Sequence, residues 1–352
     1  MATTNTRTIK TADGDYTSLS NWEAGRAADL PSGDIIEVAE CYTMEDTTAV
    51  VIDGWTTDAT RYIDIHAAVG ERHSGYWDEA KYFLSNAAAT LLAINEEYVR
   101  VTHIQFELTT NTYSYNCVRV GQLAAASDVR LGYNLYKGIL SGPGGATSAV
   151  LASDDSDGNC VVTDYNSVVI DFYNITYPTS TTSEGWECAY GIMTLLNCTA
   201  YHCGKGFSTL GSTYKITAYN CLSYCDEVNS SLIDFAGTYE AASDYNASTD
   251  ATAPDGGGHS IINQANTDID FLSTTPTDAT FLAIDSTSSC VGAGTDNPGS
   301  GLYSDDIRGV SRTSTWDIGA DEYVAAGGGL AVAVVALLIQ RQNKRKNSLI
   351  GR

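Results

Sequence analysis

The sequence predicts an all-β chain wound as one solenoid: a single-stranded parallel β-helix with a short N-terminal capping helix and a C-terminal apolar helix. Three observations predict it. From Asp34 onward, short β-prone runs are separated by Gly, Asp, Asn and Ser, and no amphipathic helix of comparable length intervenes. An asparagine with apolar flanks recurs at Asn174, Asn197 and Asn220, 23 residues apart each time, and returns at Asn246. A period in the twenties marks coils that each bury a face against the next. The length, 352 residues, would by itself suit two domains; the repeat makes it one long unit.

The elements follow in chain order. The first residues show no basic stretch leading into an apolar one, so no N-terminal signal peptide is expected. Ser20-Asn21-Trp22-Glu23 has capping-box spacing and predicts a short helix that ends before Pro31. Residues 1–33 are therefore a cap. Strands are expected at Ile35 to Val38, Ala49 to Ile52, Tyr62 to Ile65, Tyr98 to Phe106 and Val168 to Phe172, within a solenoid spanning 34–275. A leucine-rich repeat would need a leucine framework before each asparagine, and the residues there are mixed aromatic and aliphatic. In a β-helix the repeated asparagine suits a left-handed bend. Stacked amides would then bond along the axis as a ladder at Asn174, Asn197, Asn220 and Asn246; Gly132-Tyr133-Asn134-Leu135 would begin it earlier.

Both ends carry a more specific signal. Ser289-Cys290-Val291-Gly292-Ala293-Gly294-Thr295, Asp305-Asp306-Ile307-Arg308-Gly309 and Asp317-Ile318-Gly319-Ala320-Asp321-Glu322-Tyr323 resemble the closing segment of right-handed parallel β-helix proteins of the pectin-lyase-like class. Tyr16 to Ala24 and Ile36 to Cys41 resemble the cap and first coil of the same group. The resemblance implies a right-handed β-helix closed by residues 276–323, of a kind found on bacterial surfaces and in bacteriophages, and it leaves the activity open.

Charge narrows the partners. Nineteen Lys and Arg against 43 Asp and Glu give −24, which argues against nucleic acid. The last residues, with Arg341, Lys344, Arg345, Lys346 and Arg352 and no acid, raise the contrast to −29 on the body against +5 on the tail. Neutral sugars remain compatible with such a surface; anionic polymers need cations to mediate.

Several constellations carry possible chemistry. Cys198, Cys203, Cys221 and Cys225, with His202 beside them, approach a zinc-ribbon spacing. Cys198 and Cys221 each follow a repeat asparagine, however, so a stack of small buried residues accounts for them without metal. Ser153 to Asp164 partly resembles a calcium loop, with Asp155, Asp157 and Asp164 as oxygen ligands. Ser in the first place and Asp in the twelfth depart from the pattern, and an acidic turn between coils is the plainer reading. Calcium is thus the one cofactor considered beyond none. A lyase would need a base and a cation, a hydrolase two facing carboxyls. Glu187, His202, Lys205, Asp226 and Glu227 are the catalytic candidates near the repeat, with Trp186 and Tyr190 as stacking aromatics for a ligand.

The tail, 324–352, is apolar through Ile339 and then basic. It is short for a spanning helix, and two roles are expected for it: a membrane anchor, or an assembly segment that meets other virion or surface subunits or further copies of the chain. The sequence as a whole favours a non-enzymatic structural or receptor- and glycan-contact protein displayed on a virion or cell surface, with a polysaccharide or surface glycan as partner. The alternative is a polysaccharide lyase or glycoside hydrolase on the same fold.

Overall fold

The computed structural model describes residues 2–110, 115–121, 123, 127–141, 147–153, 160–174, 182–225, 232–313 and 315–325. Within them the strands form three parallel sheets: a first and a second of eight strands each, and a third of seven. The chain visits the sheets in rotation. Val161–Tyr165 lies in the first, Val168–Ile170 in the second and Ser183–Tyr190 in the third, and the next coil repeats the order. Each strand pairs with its counterpart one coil away, as in Leu131↔Asp164↔Leu195↔Ala218 of the first sheet and Val150↔Trp186↔Phe207↔Phe235 of the third. Backbone groups are satisfied between coils, and the fold is an all-β parallel β-helix.

Register explains which residues fill the interior. Along the third sheet the inward row begins with Val50, Leu92, Val118 and Val150 and continues with Trp186, Phe207 and Phe235. This row thus changes from aliphatic to aromatic along the axis. Phe106 stacks on Tyr136 at 5.3 Å, Trp186 on Phe207 at 5.0 Å and Phe207 on Phe235 at 4.8 Å, within the distance range of favourable ring contacts.

The N-terminal end is closed by a strand as well as a helix. Thr3–Ile9 pairs along its whole length with Ile35–Cys41, a strand missed in the sequence because it lies within residues 1–33, ahead of the repeat. The helix is Leu19–Arg26, and its cap is Ser18, whose side chain accepts from Asn21 N at 3.1 Å. The expected box at Ser20 and Glu23 is not formed, because Ser18 already holds the extended cap conformation; the Glu23 carboxylate accepts from Asp53 N instead. Leu19 and Trp22 are fully buried, and Trp22 meets Trp55 with centroids 5.5 Å apart.

The corner between first and second sheets is a two-residue turn whose first residue is left-handed. His103, Tyr133, Asn166, Asn197, Asn220 and Tyr245 hold it, with φ between 49° and 59°. His103 therefore divides the expected Tyr98 to Phe106 run into Val99–Thr102 and Gln105–Thr110. Asn197 and Asn220 stand where the repeat puts them, and Asn220 Nδ2 donates to Asn197 Oδ1 at 3.3 Å. The other two rungs are corrected. Asn174 lies beyond the second-sheet strand, bridged to Leu140, and Asn166 takes that coil's corner. Asn246 is the second residue of its corner, after left-handed Tyr245, and its amide bonds Cys221 N and Ala218 O inside the turn. Coil lengths differ, so equal spacing along the chain is not equal phase around the axis.

The last sheet strand is Ala247–Ser248. Beyond it the chain folds back over the solenoid in turns and one short helix, Asn266–Ile269, and the corner asparagines hold it there. Asn166 donates to Asp305 O and accepts from Arg312. Asn197 donates to Asp317 O and Gly319 O and accepts from the Tyr303 hydroxyl. Asn220 exchanges two bonds with Thr295. Arg312 is fully buried and pairs with Glu322 at 2.8 Å; Arg308 pairs with Asp321 and reaches back to Ser74 O.

Candidate functional site

The residues singled out from sequence are sorted by the third sheet. Its strand Ser183–Tyr190 carries four of interest. Trp186, expected as a stacking aromatic, is fully buried and cannot meet an external ligand. Its register with Val150 and Phe207 turns it inward, and its indole Nε1 donates to Asp164 Oδ2 at 2.9 Å. Asp164, expected as a calcium ligand, is likewise interior. It replaces an aliphatic residue in the inward row of the first sheet and is bonded by Trp186, Ser167 and Tyr136. Burial pushes its carboxyl up to about 6, against the pull of those bonds. Asp155 and Asp157 lie outside the described residues, as do Asp226 and Glu227.

The cysteine cluster does not converge on one point. All four are free, fully buried thiols, Cys198 lying against Cys221 and Cys203 against Cys225, with burial pushing the Cys198 and Cys225 thiols well up. Among the described residues, no three His, Cys, Asp or Glu are grouped so as to hold a metal. His202 sits at an outer corner in a left-handed conformation, its Nδ1 3.3 Å from Asp171 Oδ1.

Glu187 and Lys205 do come together, through a residue that the sequence reading missed. Ser148, Glu184 and Lys205 stand opposite one another near the starts of three successive third-sheet strands. Lys205 Nζ is 2.8 Å from Glu184 Oε1, and Ser148 Oγ lies 2.5 Å from Glu187 Oε2 and 3.4 Å from Glu184 Oε2. Ser208 Oγ is 3.5 Å from Glu184 Oε1. The Glu184 carboxyl is raised, first by burial and then by the neighbouring Glu187 charge, while Lys205 opposes the rise. The Glu-x-x-Glu spacing of 184 and 187 and the one-coil offset from Glu184 to Lys205 were the available signals.

Tyr190 completes this face. A register shift after Ala152 re-aims the strand end so that Tyr190 projects outward, 38% exposed. Gly191, at φ 150°, makes the turn that follows; a Cβ there would lie 2.6 Å from Cys160 O. Tyr190 and Tyr214 meet edge to face at 5.1 Å, and exposed Ile192 and Leu210 adjoin them in sequence. What this face presents is the half-buried Glu187 carboxyl and Lys205 ammonium, with Glu184 and Ser148 buried behind them, and an aromatic edge about 10 Å along the strand from Glu187.

No family model matches the chain, and no curated protein matches it. Among solved structures, the crystal structure of pectate lyase Pel9A is similar with a TM-score of 0.33 and 12% identity, covering 92% of this chain and 98% of that one.

Proposed function

We propose that the protein is a non-enzymatic β-helix of a virion or cell surface that contacts glycans through the outer face of its third sheet, with residues 324–352 as its anchoring or assembly segment. One observation carries the reading: exposed Tyr190 ends the strand that bears Glu184 and Glu187, and half-buried Tyr214 packs edge to face against it. An aromatic edge with the Glu187 carboxyl about 10 Å along the strand suits the apolar face and the hydroxyls of a neutral sugar. The same groups suit catalysis poorly. Hydrolysis by two carboxyls needs room for the sugar between them, about 5 to 9 Å, whereas here both carboxyls converge on one Ser148 hydroxyl. Lys205, the candidate base for a lyase, is held by Glu184.

The purified chain incubated with neutral and uronate polysaccharides is expected to retain neutral ones without releasing new reducing ends or unsaturated products. Tyr190→Ala is expected to weaken that retention about tenfold, the scale of one lost aromatic contact. Product release abolished by Glu184→Gln would instead establish the lyase or hydrolase reading.

A further inference from the structure

The fold-back carries an apolar groove of about 500 Å³, and the described chain ends in its wall. Leu272, Ala283 and Ile284 line it together with Tyr323, Val324 and Ala325, the last three described residues. Backbone pairing holds its shape. Leu272 N donates to Ala283 O at 2.8 Å and Leu282 N to Ser273 O at 2.7 Å, and Phe271 bridges Ile284. Leu282 takes a left-handed conformation, φ 51°, which leucine rarely adopts unless its surroundings require it. The same pairing keeps the Leu272 side chain 54% exposed. An apolar surface fixed in this way marks a place that another apolar group covers.

The sequence supplies the occupant. Residues 326–352 lie outside the described residues. One alanine and three glycines follow Ala325, and the ten residues 330–339 are then all apolar. Leu330 is five residues beyond the groove wall, a reach of at most about 17 Å, and glycine opens backbone conformations that let the chain turn back. A tether this short gives an effective concentration on the order of millimolar, well above that of a second copy in dilute solution. Charge agrees. At the groove Arg308 is taken by Asp321, and Glu322 by Arg312. Asp285 on the lining, and Asp270 and Asp278 joined to it and to the groove through Thr287 and Thr280, form no ion pair among the described residues. The segment after 339 carries Arg341, Lys344, Arg345, Lys346 and Arg352.

We infer that this groove is the resting seat of the chain's own segment 330–339, with the basic end that follows lying along Asp270, Asp278 and Asp285. The inference rests on the reading of residues 324–352 as an anchoring or assembly segment and adds where that segment is held before it is used. Docked, its apolar side chains are out of water, and its target must draw it from the groove.

Hydrogen exchange of the full chain, read by mass spectrometry at micromolar concentration, tests the docking. Residues 330–339 are expected to exchange about tenfold more slowly than in a synthetic peptide of residues 326–352, at a rate independent of protein concentration. Leu272→Asp, and separately the tail variant Lys344→Glu with Arg345→Glu and Lys346→Glu, are each expected to abolish that protection. The strand Val161–Tyr165 is expected to stay protected in both, which checks that they are folded. Free exchange of 330–339 in the unaltered chain, or protection that both variants leave intact, would overturn the inference. Protection that grows with protein concentration would overturn it too, by giving the groove to the tail of a second copy. Flotation with vesicles of phosphatidylcholine and phosphatidylglycerol separates the docking from the reading it rests on, and Leu272→Asp is expected to float severalfold more than the unaltered chain. Free exchange together with flotation would overturn the docking and keep the anchor, whereas protection lost in Leu272→Asp with no flotation of either chain would keep the docking and overturn membrane anchoring.

Discussion

Asparagine at the corner between first and second sheets performs two tasks at once. Its backbone takes the left-handed turn, which costs most other residues about 1–2 kcal/mol, and its amide bonds the segment that folds back over the coils. Asn220 shows both, with φ 54° and two bonds to Thr295. Replacing it separates them. Asn220→Ala is expected to cost about 2–4 kcal/mol in denaturant unfolding, and Asn220→Gly less, because glycine adopts the turn freely and loses only the amide bonds. Equal losses would show that the turn itself contributes nothing. At this scale the sequence was partly legible. Asn197 and Asn220 could be found by counting, since one coil separates them. Asn166 could not, because it stands 31 residues before Asn197, and Asn174, which the count selected, falls elsewhere on the coil. Glu184 was missed for a related reason: its partners Ser148 and Lys205 are neighbours only once register is known.

Among the elements, the first strand bears most on how the solenoid is protected. Thr3–Ile9 covers the edge of Ile35–Cys41 with seven register pairs, and an uncovered strand edge invites pairing with other chains. Removing residues 2–10 is expected to lower the melting temperature and to produce concentration-dependent association, measured by light scattering; a variant that stays monomeric would show that the helix Leu19–Arg26 alone closes this end. Strand existence was readable from β-prone runs and turn residues, whereas boundaries were not. The Tyr98 to Phe106 run gave no hint of its division, because His103 is a residue type that enters the left-handed region only where the coil demands it. The strand Ser183–Tyr190 likewise hid its two faces. Its aromatic and acidic residues read as one surface constellation until pairing sent Trp186 inward and Glu187 outward.

The whole molecule carries an unusual set of buried acids, and this sets its response to pH. Burial raises Asp164 and Asp234 to about 6 and Glu96 to about 7, and it raises Glu184 and Asp306 in the same direction. In the unfolded chain these groups lose their protons near pH 4. The folded state therefore holds more protons between about pH 4 and 7, and the stability they confer is lost as pH rises through that window. His73 and His103 act oppositely. Burial lowers them to about 4 and about 2, so their share is lost as pH falls below the ordinary histidine range. Five acids outweigh two histidines, and lower pH also relieves the repulsion of a −24 chain. The melting temperature is expected to be higher at pH 5 than at pH 8 in the same ionic strength, with the gap narrowed in Asp164→Asn; a transition independent of pH would contradict the assignment of these protons. The fold-back of residues 249–323 has a mechanical consequence as well. Arg308 bonds Ser74, 234 residues away, and Arg312 bonds Asn166, so the end of the chain is strapped across coils wound long before it. Tension applied through the C-terminal tail would load that strap before any coil. The coils would unwind only after it tore free.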